Sequence, residues 1–439
     1  MPQITVHAAS FAIRADERSS LHKWPLQQSG ISKSAPEPGS TADPKTFRLL
    51  IFLLPVVTAI FVASAVLLMG ITEPEFLSPI PDHPPVLSTA VPFSQNHKEI
   101  IGFFPFWNLK EEENQRYRLL TQVAFFALQI DEEGNIKRYN DDRTEEPGWT
   151  AYKGQVFGAL QRKAKEENTK VIVTIQAMDA QVIEQVINDS NHRKRVIDET
   201  LGIIAQKNLD GVNIDFEYPG TPTFETSKNF TLFIKEWREA IALHNPSLSL
   251  SVDVYADAVA KVRLWDIPEI AQHVNHIIIM AYDFHRASSQ RAGPIAPMRG
   301  APHDWEYDLT KMLRDFSKVV ELNKIMLGVA YYGYEWRTSS REAYAATYPG
   351  SGATASYDRI QELKEKYHVD YHWDETSLSP WLTFNDNGEI HQIYYENDIS
   401  LGLKYDLVNE SGLAGIAIWA LGYDGSHPNL WNIISEKFP

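Results

Sequence analysis

Asp210-Gly211-Val212-Asn213-Ile214-Asp215-Phe216-Glu217-Tyr218-Pro219-Gly220 is the stretch on which the fold turns. Val212, Ile214 and Phe216 alternate with Asn213, Asp215 and Glu217, which is the period of a β-strand. Side chains two apart on a strand share a face, so Asp215 and Glu217 stand roughly 6.6 Å apart on one side. An exposed edge strand with a polar outer face is one reading. Leu209 and the apolar alternate face favour a buried strand instead. Burial makes the carboxylate row costly, because unpaired charge away from water is expensive. Glu217 then reads as a proton donor, its ionised form disfavoured by burial and by the charge of Asp215. Asp215 is expected to stay ionised and to stabilise positive charge that develops in the reaction. Such a pair suits glycoside hydrolysis, whose transition state resembles an oxocarbenium ion.

The stretch resembles the Asp-x-x-Asp-x-Asp-x-Glu strand of glycoside hydrolase family 18, the chitinase-like hydrolases, with Asn213 in place of the second aspartate. Met280-Ala281-Tyr282-Asp283-Phe284-His285 resembles that family's sixth-strand motif. Gly415-Ile416-Ala417-Ile418-Trp419-Ala420-Leu421-Gly422 resembles its eighth strand. The resemblance covers residues 98–436. It implies catalytic roles for Glu217, Asp215 and Tyr282. It also implies that Asp210, Asn213, Asp283 and Trp419 belong to the substrate site. Tyr282 would contact the substrate N-acetyl group, Asp283 would line the cleft, and Trp419 would floor the cleaved sugar. Trp107 and Trp336, just after the first and seventh apolar runs, are candidates for further subsites. The third run, Thr174-Ile175-Gln176-Ala177-Met178, lacks the Ser-x-Gly-Gly often seen in the family. With Asn213, an altered pH profile is expected rather than inactivity.

Outward from this stretch, apolar runs alternate with helical segments. The runs are Ile100–Phe104, Val123–Ile130, Val171–Gln176, Val212–Glu217, Leu248–Tyr255, His276–Tyr282, Ile325–Tyr332 and Gly415–Trp419. Helical stretches such as Ala180–Gln206 and Phe224–His244 lie between some of them. Eight such units predict an α/β fold, a (β/α)8 TIM barrel over 98–439, with its site at the C-terminal strand ends. Glu217, Tyr282 and Trp419 all fall there. The long gap before the last run predicts a small α+β insertion at about 334–400. Within it, Asn385-Asp386-Asn387-Gly388 between apolar runs marks a hairpin.

The chain has 439 residues, 44% of them hydrophobic, and a formal charge of −16. Six of the 41 basic and four of the 57 acidic residues lie in 1–71, leaving 35 and 53, a net of −18, for the remainder. That balance opposes nucleic-acid binding and fits a neutral polysaccharide. With no cysteine there is no disulfide, thiol nucleophile or thiolate site. There is no His-Glu-x-x-His, phosphate loop or dinucleotide fingerprint, so no metal and no cofactor is expected. His192-Arg193-Lys194-Arg195 and Glu111-Glu112-Glu113 are expected to be solvated faces.

Leu49 to Met69 is 21 residues without charge, about the span of a hydrocarbon core as a helix. Lys45 and Arg48 precede it, while Glu73, Glu75 and Asp82 follow. The expected organisation is a disordered cytoplasmic tail at 1–46, a transmembrane helix at 47–71 and a proline-rich linker at 72–97. The catalytic domain would then be extracytoplasmic. Secretion after cleavage near Ala63-Ser64-Ala65 is the alternative. The functional expectation is a retaining, substrate-assisted glycosidase acting on β-linked N-acetylglucosamine glycans of the chitin oligosaccharide type. A peptidoglycan-remodelling N-acetylglucosaminidase and a non-catalytic chitinase-like lectin are the alternatives.

Overall fold

The computed structural model describes residues 98–301 and 303–439. The expected tail, transmembrane helix and linker fall outside the described residues. Among the described residues, no helix is long and apolar enough to cross a membrane.

Seven strands lead: β1 Glu99–Pro105, β2 Gln122–Gln129, β3 Lys170–Ala177, β4 Gly211–Phe216, β5 Ser249–Tyr255, β6 His276–Met280 and β7 Ile325–Ala330. Five more follow: β8 Tyr332–Thr338, β9 Ala353–Ser356, β10 Asp370–Asp374, β11 Ser379–Asp386 and β12 Glu389–Tyr395. The last is β13 Gly415–Trp419. β1 to β7 and β13 close a parallel barrel in the order β1-β13-β7-β6-β5-β4-β3-β2. β8 to β12 form a separate five-stranded sheet, ordered β10-β11-β12-β8-β9, beside helix Tyr357–Lys366. This is the expected insertion.

The alternation read from the sequence sorts the two faces of each strand. Val212, Ile214 and Phe216 pack outward with Phe230, Phe233 and Trp237 of helix Phe224–His244 in the sheet–helix layer. A smaller cluster, including Ile101, Phe103, Phe126, Ile172, Ile278, Met326 and Ala417, fills the barrel interior. Trp419 packs against that cluster, which sets a tryptophan over an apolar plug.

Several local expectations are corrected. The helical stretch at 180–206 is two helices, Ala180–Asn188 and Ser190–Lys207. Asp189 divides them by accepting the Asn191 and His192 N–H groups at 2.7 and 3.3 Å as an N-cap. Arg193 is not part of a solvated face. It is buried and grips Glu236 with two hydrogen bonds of 2.8 and 2.9 Å, tying two helices together. Glu112 is likewise buried and paired with Lys163 at 2.9 Å. The hairpin loop is tighter than expected. Asp386 pairs with Glu389, leaving Asn387 and Gly388 as a two-residue turn with φ of 51° and 91°. Positive φ at both positions is what a type I′ turn requires.

Candidate active site

β4 enters the barrel at Gly211 and is buried along its whole length. Asp215 therefore points into the interior near the mouth, and Glu217 follows one residue beyond the strand. Both line a cleft of about 790 Å3 at the C-terminal ends of the strands, together with Asp253, Tyr255, Tyr282, Asp283, Trp419 and Trp107. Tyr282 lies two residues past β6. Gly328 on β7 makes room for it, since a Cβ there would approach the Ile279 carbonyl oxygen at 2.4 Å and the Tyr282 ring at 3.1 Å. Trp419 ends β13 and packs edge-on against Phe126, with ring centroids 4.5 Å apart. Trp107 is 46% exposed and its ring centroid lies 6.4 Å from that of Trp419. The two indoles thus give the cleft an aromatic wall suited to sugar faces.

Burial pushes the Asp215 carboxyl up to about 8; the neighbouring Glu217 adds to this, and a Gln176 hydrogen bond opposes it. Glu217 is also raised, by burial first and by Asp283, against the Tyr255 hydrogen bond and the Arg286 charge. Burial thus opposes the expectation that Asp215 stays ionised. Water-poor surroundings favour the protonated form of each carboxyl. Asp283 has a φ of 62°. Aspartate tolerates this left-handed region better than most residues. Its Oδ1 accepts from the Tyr332 hydroxyl and, at 3.0 Å, from that of Tyr334.

Three sequence candidates stand away from the cleft. Asp210 precedes β4 at the opposite end of the barrel, where its Oδ2 accepts the Val171 N–H at 2.8 Å. Asn213 is fully buried one layer below Asp215. Trp336 is 0% exposed in the insertion sheet, and its indole N–H donates to the Arg286 and Ala287 carbonyls at 3.2 Å. It is a core residue, because its ring is enclosed and its one donor is used. Conversely, Tyr255, Asp253, Gln176 and Arg286 were not among the candidates. The polar parity of Ser249, Ser251, Asp253 and Tyr255 was the available signal on β5.

The buried carboxyls carry a prediction for stability. Asp215 in the fold holds its proton to about 8, against an ordinary 3.8 in the unfolded chain. Below both values the group costs nothing. Between about 4 and 8 the folded state binds the extra proton, so stability falls as pH rises through this window. Asp215→Asn is therefore expected to raise the melting temperature by at least about 2–4 °C at pH 8, with the gain vanishing toward pH 4. Equal gains at both pH values, in calorimetry, would contradict the assigned shift.

The sequence profile of glycosyl hydrolases family 18 matches residues 99–424. A cortical fragment-lytic enzyme of Bacillus subtilis (strain 168) is 23% identical over 293 residues, 64% of this chain. The chain spans 62% of that relative, a little under two thirds of its length. Chitotriosidase-1 of Mus musculus is 24% identical over 353 residues, 76% of this chain and 71% of that protein. The crystal structure of Ostrinia furnacalis Group IV chitinase matches the fold with a TM-score of 0.67 at 22% identity, covering 78% of this chain and 99% of that one.

Proposed function

Because the chain belongs to glycosyl hydrolases family 18, and is a glycoside hydrolase, we propose that it is a retaining enzyme that cleaves β-linked N-acetylglucosamine glycans by substrate-assisted catalysis. The observation that carries this reading is the placement of Asp215 and Glu217 two apart at the end of one strand, in a cleft walled by Trp419 and Trp107. Two carboxyls so placed reach a sugar from the same side. Asp283 is engaged by two tyrosine hydroxyls and is poorly disposed as a nucleophile from another face. The acetamido oxygen of the substrate then serves as the nucleophile. Glu217 protonates the departing oxygen and later takes a proton from water. Asp215, ionised, accepts the acetamido N–H and stabilises the oxazolinium ion. Tyr282 holds the acetamido group, and Trp419 stacks beneath the ring.

Peptidoglycan is a second reading of the substrate, favoured by the similarity to the cortical fragment-lytic enzyme. Mass spectrometry of the products from chitin oligosaccharides and from peptidoglycan tests both. Cleavage of the first alone supports the chitin-type assignment, and cleavage of the second alone replaces it.

The uncharged run at 49–69 and the proline-rich stretch after it support a single-pass anchor with the barrel outside. Residues 98–439 are expected to form a soluble, active fragment, while the full chain resists carbonate extraction from membranes. Uncleaved full-length protein in the soluble fraction would reject the anchor.

A further inference from the structure

We propose that Asp253 is a positioning residue: a protonated carboxyl on β5 that donates to the buried Oδ1 of Asp215 and replaces the carboxyl missing at position 213. This rests on the glycosidase reading above. Asp253 belongs to none of the recognised motifs, yet it is buried and lines the cleft. In the β4–β5 ladder Asn213 stands opposite Ser251 and Ile214 opposite Val252. The next step up brings Asp215 and Asp253 to one level on adjacent strands, both on the inward parity.

The hydrogen bonds around them leave two buried oxygens without a donor, Asp215 Oδ1 and Asn213 Oδ1. Asn213 Nδ2 donates to Ser251 Oγ at 3.1 Å and to Asp253 Oδ1 at 2.9 Å. Both amide hydrogens are thereby committed to β5, and neither serves Asp215. Asp215 Oδ2 accepts from Gln176 Nε2 at 3.1 Å. Asp215 Oδ1 is buried with no donor. A buried carboxylate oxygen without a donor is costly, and the cost rises when the group ionises. Asp253, with one oxygen held by Asn213, has a second oxygen to carry a proton.

The surrounding groups favour that proton. Gln176 comes from β3, Asp215 and Glu217 from β4, and Tyr255 from β5 itself. Tyr282 and Asp283 come from the end of β6, with Arg286 beyond them. Among the described residues, no ion pair joins a cation to Asp215, Glu217 or Asp253. Burial first, then the negative charges that Asp215 and Glu217 carry when ionised, favour the neutral form of Asp253, against the Asn213 hydrogen bond. A carboxylic acid kept neutral by its site is a competent hydrogen-bond donor. Its donation favours the ionised form of Asp215, which the arriving acetamido N–H requires.

Two substitutions separate this role from simple packing. Asp253→Asn keeps an oxygen for Asn213 and supplies an N–H toward Asp215. Asp253→Val keeps the approximate volume and supplies neither. Asp253→Asn is expected to hold kcat within about threefold of wild type, with the acid limb of the kcat–pH profile unmoved. Asp253→Val is expected to lower kcat by about tenfold or more, with KM changed by less than about threefold. Its acid limb should move to higher pH, because Asp215 loses a donor to its ionised form. Asn213→Asp in the Asp253→Val background should recover part of kcat. A loss of about 100-fold in Asp253→Asn, with melting and oligosaccharide binding intact, would show that Asp253 acts as an anion and overturn the proposal. So would a wild-type kcat–pH profile in Asp253→Val. If Asp253→Val does not fold, the Asp253→Asn arm decides. Wild-type turnover on the same oligosaccharide is the control. An inert wild type defeats the functional reading, whereas an active wild type with either overturning pattern defeats only the role of Asp253.

Discussion

Glu217→Gln is expected to lower turnover by at least about 10²-fold while folding and oligosaccharide binding stay close to wild type. The substitution replaces one carboxyl oxygen by an amide nitrogen of nearly the same size. Glu217 lines the cleft beside Tyr255, and glutamine keeps an acceptor oxygen of the same reach there. What is lost is the acidic proton, which the leaving oxygen needs as the glycosidic bond breaks. Burial raises the Glu217 carboxyl above the ordinary carboxylate range, the direction a proton donor needs. The measurement is kcat on an unactivated oligosaccharide, with ligand binding by calorimetry as the companion. Near-normal kcat in Glu217→Gln would remove this residue from the acid role.

The second large effect is on the substrate side. Oligosaccharides lacking the 2-acetamido group on the cleaved sugar are expected to lose at least about 10²-fold in kcat/KM relative to matched N-acetylated ones. Without that group the reaction has no internal nucleophile. Asp215 cannot readily substitute, because its carboxyl is buried and carries its proton to about 8. A thiazoline mimic of the cyclised intermediate should inhibit competitively. Equal kcat/KM for the two oligosaccharides would sink the mechanism and reopen the search for a protein nucleophile.

The barrel was legible because its strands are short apolar runs with polar or helical punctuation, and burial on both faces leaves little else for them to be. The eight expected runs correspond to the eight barrel strands. The boundary between β7 and β8 was not legible. The run Ile325–Tyr332 is apolar throughout, and the break falls at Tyr331, whose N–H donates to the Trp419 carbonyl at 2.8 Å. Nothing local in the sequence marks a hydrogen bond to a residue 88 positions away. Arg193 and Glu112 were misread for the same reason, since Glu236 and Lys163 lie far along the chain. Trp336 shows a different failure. A tryptophan after a strand end packs a core as readily as it meets a ligand, and only the fold distinguishes the two. Asp215, Glu217, Tyr282, Asp283 and Trp419 were legible because strand parity and chain order carried them to the cleft. Asp253 had the same parity signal, but its run Leu248–Tyr255 resembles no motif and read only as a barrel strand.

Tyr332 and Tyr334 are the first and third residues of β8, and both hydroxyls close on Asp283 beyond β6. The insertion thus meets the barrel through a latch of two phenols on one carboxylate, while the acid and its partner sit on β4. The barrel alone therefore carries the acid and its partner, while Asp283 in the cleft wall is held jointly by barrel and insertion.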